Sequence, residues 1–201
     1  ENGWYRVGPL ARLLNCDHIS TPGAEAARQA FRAAWGGGPI HGVLAYHWAR
    51  MIEMWHAAEV VASLLMDDDL LHGELMATGT RQREGVGIIE APRGTLIHHY
   101  EVGDDDLVKR ANLIVSTTHN NQAMNETVRE VARAHFDGRQ ITEGLLNHIE
   151  VAIRAYDPCL SCATHALGQM PLEVSVIGAD EQCLDRVIRT PDRQLHRDEP
   201  V

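Results

Sequence analysis

The residues best suited to chemistry are Cys159, Cys162 and His165. They stand three residues apart in the run Asp157-Pro158-Cys159-Leu160-Ser161-Cys162-Ala163-Thr164-His165. Two thiols and an imidazole at this spacing have three chemical readings: a redox dithiol, half of a structural zinc site, or two thiolates on a catalytic metal. The plain alternative is a pair of buried, inert thiols. A closed zinc site needs four ligands, yet no second C-x-x-C or His pair is present, and Cys16 and Cys183 are isolated. A thioredoxin-like dithiol opens a helix in a βαβ unit, whereas this motif follows a helical pattern. Thiolates are soft donors that favour nickel, zinc, copper(I) and iron–sulfur centres. Two thiolates on a metal whose other ligands come from elsewhere is the reading that fits best.

The elements that must position this motif can be read from periodicity and punctuation. Ile141 or Thr142 starts a helix with an apolar side of Leu145, Leu146, Ile149, Val151, Ala152 and Ile153, ending at Tyr156 just before Pro158. The cysteines therefore leave a buried helix, a rigid place to hold a metal. Upstream, short β-rich runs from Gly85 to Val102 flank Pro92-Arg93-Gly94, which predicts an antiparallel hairpin with Arg93 at its turn. Ala111–Val115 reads as a strand or extended segment. It leads into Ser116-Thr117-Thr118-His119-Asn120-Asn121, with Asn120 or Asn121 expected to cap a helix from Gln122 to His135. One cap needs one residue, and this block offers six hydrogen-bonding side chains.

Earlier still, residues 3–21 are mixed, and Thr21 is expected to cap a helix from Pro22 to about Trp35, ended by Gly36-Gly37-Gly38-Pro39. A longer helix from Leu44 to Leu65 is expected to bury one stripe of Leu44, Trp48, Met51, Ile52, Trp55, Ala58, Ala62 and Leu65. Asp67-Asp68-Asp69 lacks the spacing of a calcium loop and reads as solvated surface. Leu172–Ile177 reads as a strand, and the charged stretch from Thr190 to Val201 is expected to be disordered. The fold class expected is mainly α, within α+β, with one small antiparallel hairpin.

Composition bounds the function. The 201 residues are 44% hydrophobic, enough for a real core, and the net charge of −10 argues against nucleic acid. No apolar run reaches the ~18 residues of a membrane span, and no signal-peptide pattern opens the chain. Four cysteines, two of them close together, fit a reducing compartment, so a cytoplasmic protein is expected. The start at Glu1, running into Gly3-Trp4-Tyr5-Arg6-Val7-Gly8-Pro9, reads like the middle of a longer polypeptide.

The run from Ala155 to Gly168 resembles the C-terminal nickel-binding motif of nickel–iron hydrogenase large subunits. Glu90-Ala91-Pro92-Arg93-Gly94 and Ser116-Thr117-Thr118-His119-Asn120-Asn121 agree with it in the same order, and Gly3–Arg12 is similar to the soluble NAD-, methyl-viologen- or deazaflavin-linked types. The resemblance implies a helical large-subunit core over 1–165 and an extension, 166–201, removed on maturation by an endopeptidase. It implies reversible heterolytic cleavage of dihydrogen at a nickel–iron centre whose iron carries cyanide and carbon monoxide.

By that resemblance Cys159 is a terminal nickel ligand and Cys162 bridges nickel and iron. Arg93 sits above the open metal position, its permanent charge acting as a fixed field, with Pro92 and Asp157 in the surrounding shell. Ser116 or Thr117, with Thr117 favoured, hydrogen-bonds a cyanide. His165 holds a magnesium ion, helped by a backbone carbonyl near Asn121. The implied partners are an iron–sulfur small subunit carrying the clusters and an electron-acceptor module for NAD, deazaflavin or another carrier. The family's other C-x-x-C pair and its proton-accepting Glu are absent from this chain, so it supplies the C-terminal half of the site and is incomplete alone.

Taken singly, each residue has a plainer reading: Arg93 as a surface turn arginine, Asp157 as a solvated turn carboxylate, Ser116 and Thr117 as helix caps, His165 as a satisfied imidazole. The motifs shared in order are what set these aside. Two other classes stay open at this point: a protein like the quinone-side subunit of respiratory complex I, against which both cysteines argue, and a zinc-stabilised structural or interaction module.

Overall fold

A computed structural model describes residues 3–74, 76–138, 140–159 and 171–198. The chain is α+β: helices α1 (Pro9–Asn15), α2 (Pro22–Ala34), α3 (Ala45–Leu64), α4 (Ser116–His135) and α5 (Glu143–Ala155), with strands β1 (Glu84–Ala91), β2 (Gly94–Val102), β3 (Val108–Ile114), β4 (Leu172–Ile177), β5 (Cys183–Arg189) and β6 (Leu195–Asp198). The strands form two antiparallel three-stranded sheets, ordered β1-β2-β3 and β4-β5-β6. Sheet is therefore more extensive than the single hairpin expected, and the description "mainly α" gives way to α+β. Two compact units divide the chain, Glu1–Asn120 and Asn121–Val201.

In the first unit, α1 and α2 pack on α3 around Leu10, Leu13, Phe31, Tyr46, Ala49 and Ile52. Pro9 at the first position of α1 starts a helix in the stretch whose residues read only as mixed. Thr21 precedes α2 as expected but does not cap it. Its hydroxyl pairs with His56 Nδ1 at 2.9 Å, while the Gly23 and Ala24 amides donate to Glu59 of α3, both at 3.1 Å. A carboxylate across the helix pair thus replaces a local cap, and it suits the positive end of the helix dipole.

The stripe expected along α3 is corrected. Ile52 is buried, but Leu44, Trp48, Met51, Trp55 and Leu65 are exposed, and the buried side is Ala45, Tyr46, Ala49 and Ile52. Apolar residues surround α3, with Met54, Val61 and Leu64 on the exposed side too, so periodicity cannot choose a face. The small residues Ala45 and Ala49 select it by allowing close packing. Asp67-Asp68-Asp69 forms an exposed 3₁₀ turn closed by Asp67 accepting from the Asp69 amide at 3.0 Å.

In the second unit, α5 starts at Glu143, just after the expected Ile141 or Thr142, and Thr142 caps it, accepting from the Leu145 amide at 3.2 Å. Ile141, Leu145, Leu146 and Ile149 join Val187 of β5 in a core flanked by Val128, Val131 and Phe136 and by Leu172, Val174 and Val176 of β4. Strand β4 spans the expected residues. The expected disorder from Thr190 is overturned by β6, which pairs with β5 from Arg186↔Asp198 to Arg189↔Leu195. A tight turn makes this possible: Thr190 N donates to Gln194 O at 2.9 Å, and the Thr190 side chain joins Asp192. Charged residues can occupy a strand when a neighbouring strand supplies their partners, as Asp185 does for Arg197.

Candidate functional site

Arg93 stands on the two-residue turn between β1 and β2, as expected, with its flanks paired at Ala91↔Gly94. Pro92 and Arg93 are exposed and Gly94 is buried. The turn is held from below by Arg12 of α1. Its guanidinium grips Glu53 of α3 with two bonds of 2.7 Å, Glu90 at 2.8 Å, and the carbonyls of Ala91 and Pro92 at 3.0 Å each. Glu90 also accepts from the Thr95 hydroxyl across the hairpin. Burial pushes the Glu90 carboxyl upward, but Thr95 and Arg12 outweigh it and hold it below the ordinary glutamate range.

The segment before α1 lies against the same turn. A Cβ on Gly8, whose φ is +103°, would stand 2.7 Å from Arg93 O, and one on Gly94, at φ +137°, would overlap the Val7 side chain. Only glycine allows these two backbones to meet so closely. Val7 is in turn clasped by the buried Asn120 of α4: its amide donates to Asn120 Oδ1 at 2.9 Å, and Asn120 Nδ2 donates back to Val7 O at 3.3 Å. Tyr46 OH also donates to Val7 O, at 3.2 Å.

Ser116 and Thr117 are placed by α4, which starts at Ser116 and not at the expected Gln122. The hydrogen-bonding block is thus the first turns of the helix. Its surplus side chains reach sideways to other segments, which is why one cap does not account for them. Ser116 is buried and Thr117 half-buried. Beside them, His119 Nδ1 meets Tyr5 OH at 2.5 Å, while His119 Nε2 is buried with no hydrogen-bond partner among the described residues. The three segments Gly3–Arg12, Glu90–Gly94 and Ser116–Asn120, far apart in sequence, therefore converge within the first unit.

Asp157 and Cys159 belong to the second unit. Tyr156, buried at the end of α5, meets Thr127 Oγ1 at 2.9 Å and donates to Ala123 O at 3.3 Å. Asp157 follows in the left-handed region, φ +52°, its amide donating to Arg154 O at 3.0 Å. That is a helix-ending conformation usually filled by Gly or Asn. Cys159 is half-buried, and its thiolate is the form that can bind a metal. The expected ligands Cys162 and His165 lie outside the described residues, and among those described no group of three His, Cys, Asp or Glu could hold a metal. The donor set itself, two soft thiolates with an imidazole beyond, suits nickel and iron better than a hard cation.

Sequence reading misses Arg12, Glu53, Tyr5 and His119 as supporting residues. Arg12 and Tyr5 lie inside the similar Gly3–Arg12 segment, and this is the only signal available for them. Nothing in the sequence points to Glu53.

These segments are those of a metalloenzyme subunit. The chain belongs to the nickel-dependent hydrogenase family, whose model matches residues 1–165. It is 51% identical over 193 residues to the NAD-reducing hydrogenase HoxS subunit beta of Cupriavidus necator, a match covering 94% of this chain and 40% of that protein. An F420-non-reducing hydrogenase iron-sulfur subunit from Archaeoglobus profundus is 44% identical, over 91% of this chain and 38% of that one. A solved NAD+-reducing NiFe hydrogenase in the H2-reduced state superposes with a TM-score of 0.76 at 64% identity, covering 81% of this chain and 36% of the other. The chain thus spans about two fifths of the length of these relatives. The complex I-like and zinc-module readings are not favoured by these matches. Among the described residues no helix is long and apolar enough to cross a membrane.

Proposed function

We propose that this chain is the C-terminal part of a nickel–iron hydrogenase catalytic subunit that cleaves and forms dihydrogen reversibly, in the cytoplasm. The observation that carries the reading is the convergence of Arg93, Ser116 and Thr117 through Val7, Gly8 and Asn120, within the residues that match the family. Cys159 and Cys162 would hold the nickel, and Cys162 would also be a ligand of the iron that carries cyanide and carbon monoxide. His165 holds a magnesium ion. A nickel–iron group held there would supply the Lewis acidity for heterolytic cleavage of dihydrogen.

The chain's own residues do the rest. A thiolate of the cysteine pair accepts the proton. Arg93 provides a fixed positive field from an exposed turn whose backbone cannot shift, because Arg12 and Gly8 hold it. Thr117, or its neighbour Ser116, donates a hydroxyl hydrogen bond to a cyanide. Pro92 and Asp157 shape the surrounding wall, Asp157 from a backbone conformation fixed by the end of α5. Residues 166–201 form an extension removed by a maturation endopeptidase. The names of the relatives, NAD-reducing hydrogenase among them, favour an NAD-linked acceptor module reached through an iron–sulfur small subunit.

The test is Cys162→Ser in the complete, co-expressed enzyme, with nickel content and dihydrogen-driven dye reduction as readouts. Loss of both is expected. Full activity in that variant refutes the assignment.

A further inference from the structure

The C-terminal sheet lies beyond residue 165, where the family match ends. It is nevertheless bonded into the second unit along one face of β5. Asp185, Val187 and Arg189 alternate toward the core and are all buried, while the residues between them are more exposed. Asp185 accepts from the Ile141 amide at 2.6 Å, one residue before the cap of α5. Val187 packs with Leu145, Leu146 and Ile149. Arg189 donates to Asn147 Oδ1 at 2.9 Å and pairs with Glu150 at 3.1 Å.

Strand β5 thus meets α5 in two places: Asp185 bonds the residue before its cap, and Arg189 reaches Glu143 O at its start as well as Asn147 and Glu150 further along. Arg197 of β6 closes the arrangement: it pairs with Asp185 and donates to Ile141 O at 2.7 Å. One carboxylate so ties the extension to both the amide and, through Arg197, the carbonyl of the residue leading into α5.

We infer that the sheet of residues 172–198 is a latched cap on α5, with Asp185 as the latch, and that this cap holds the helix that delivers Asp157 and Cys159. Its bearing on maturation rests on the function proposed above, whereas the latch does not. Until the cap is released, the apolar side of α5 stays covered and its entry stays fixed. Opening the latch leaves the Ile141 amide without its acceptor and Arg197 without its counter-charge, so the cap and the helix loosen together.

Hydrogen exchange of the 201-residue chain, read by mass spectrometry, tests this without metal or dihydrogen. Asp185→Asn should speed exchange in β4–β6 and in Leu145–Ala152 of α5 by about 10- to 100-fold, with α2 and the β1–β2 hairpin unchanged. Arg197→Gln, at a half-exposed position, should do the same to a lesser degree. Arg186→Gln removes the exposed pairs with Glu173 and Asp198 and should leave α5 as it was. Faster exchange confined to the sheet, with α5 protected as before, overturns the inference, as does unchanged exchange in both. If Asp185→Asn unfolds the whole chain, the same outcomes are read from Arg197→Gln.

Discussion

The fork of Arg12 offers the sharpest test of how the Arg93 turn is held. Arg12→Ala removes five hydrogen bonds at once: three to the Glu53 and Glu90 carboxylates and two to the turn carbonyls. Exposed ion pairs contribute about 0–1 kcal/mol, and an unpaired buried charge costs about 3–5 kcal/mol. The side chains of Arg12 and Glu53 are 26% and 25% exposed and that of Glu90 is 48% exposed, which places this cluster between the two limits. A loss of about 2–3 kcal/mol follows. For a chain of this length that is a fall in Tm of roughly 4–12 °C. Arg12→Lys keeps the charge but not the planar fork, so about half the loss should remain. A double-mutant cycle with Glu53→Gln should show coupling of about 1–2 kcal/mol. If Arg12→Ala melts within about 1 °C of the parent chain, or the two substitutions simply add, the clamp is ornamental and the reasoning fails.

Two further outcomes can be checked by denaturation. Gly8→Ala should cost more than about 2 kcal/mol, because it combines a positive φ with a clash against Arg93 O, whereas Gly3→Ala, at φ +58° with open space around it, should cost about 1 kcal/mol or less. Stability should also fall with acidification. Arg28, the Ile19 amide and Gln29 hold the Glu25 carboxyl well below its ordinary value of about 4.5. A depressed folded-state value gives stability that is complete above the unfolded value and lost as pH falls through the folded one. Glu25→Gln should therefore flatten part of the acid limb below about pH 4.5, and an unchanged limb counts against the pairing.

Much of this is legible from local rules. The Pro92-Arg93-Gly94 turn and the Leu172–Ile177 strand each rest on nearest-neighbour chemistry and stand where expected, and α5 starts within a residue or two of the expected place. What is illegible depends on partners distant in sequence. The face α3 buries is set by where α1 and α2 press on it, and its apolar residues run all the way round. The expected start of α4 falls too late because Asn120 looks like a cap, when its amide is spent on Val7, 113 residues away. The stretch holding β6 looks like a charged tail because the acceptor of Arg197, Asp185, belongs to the neighbouring strand.

The same device recurs in both units. Arg93 and Asp157 each sit on backbone that leaves its element in a sharp, conformationally restricted step, the first beside a glycine at φ +137° and the second itself at φ +52°. In each case the residue next door is buried: Gly94 after Arg93, and before Asp157 the Tyr156 ring, whose hydroxyl is bonded to α4. An exposed side chain on a loose loop would lose its aim through backbone motion. Here the backbone is anchored by neighbours instead: Gly8 and Arg12 hold the turn at Arg93, and Tyr156 holds the step at Asp157. Each position should therefore be sensitive to changes at its own anchors, Gly8 and Arg12 for Arg93 and Tyr156 for Asp157, because a shift of the supporting backbone carries the side chain with it.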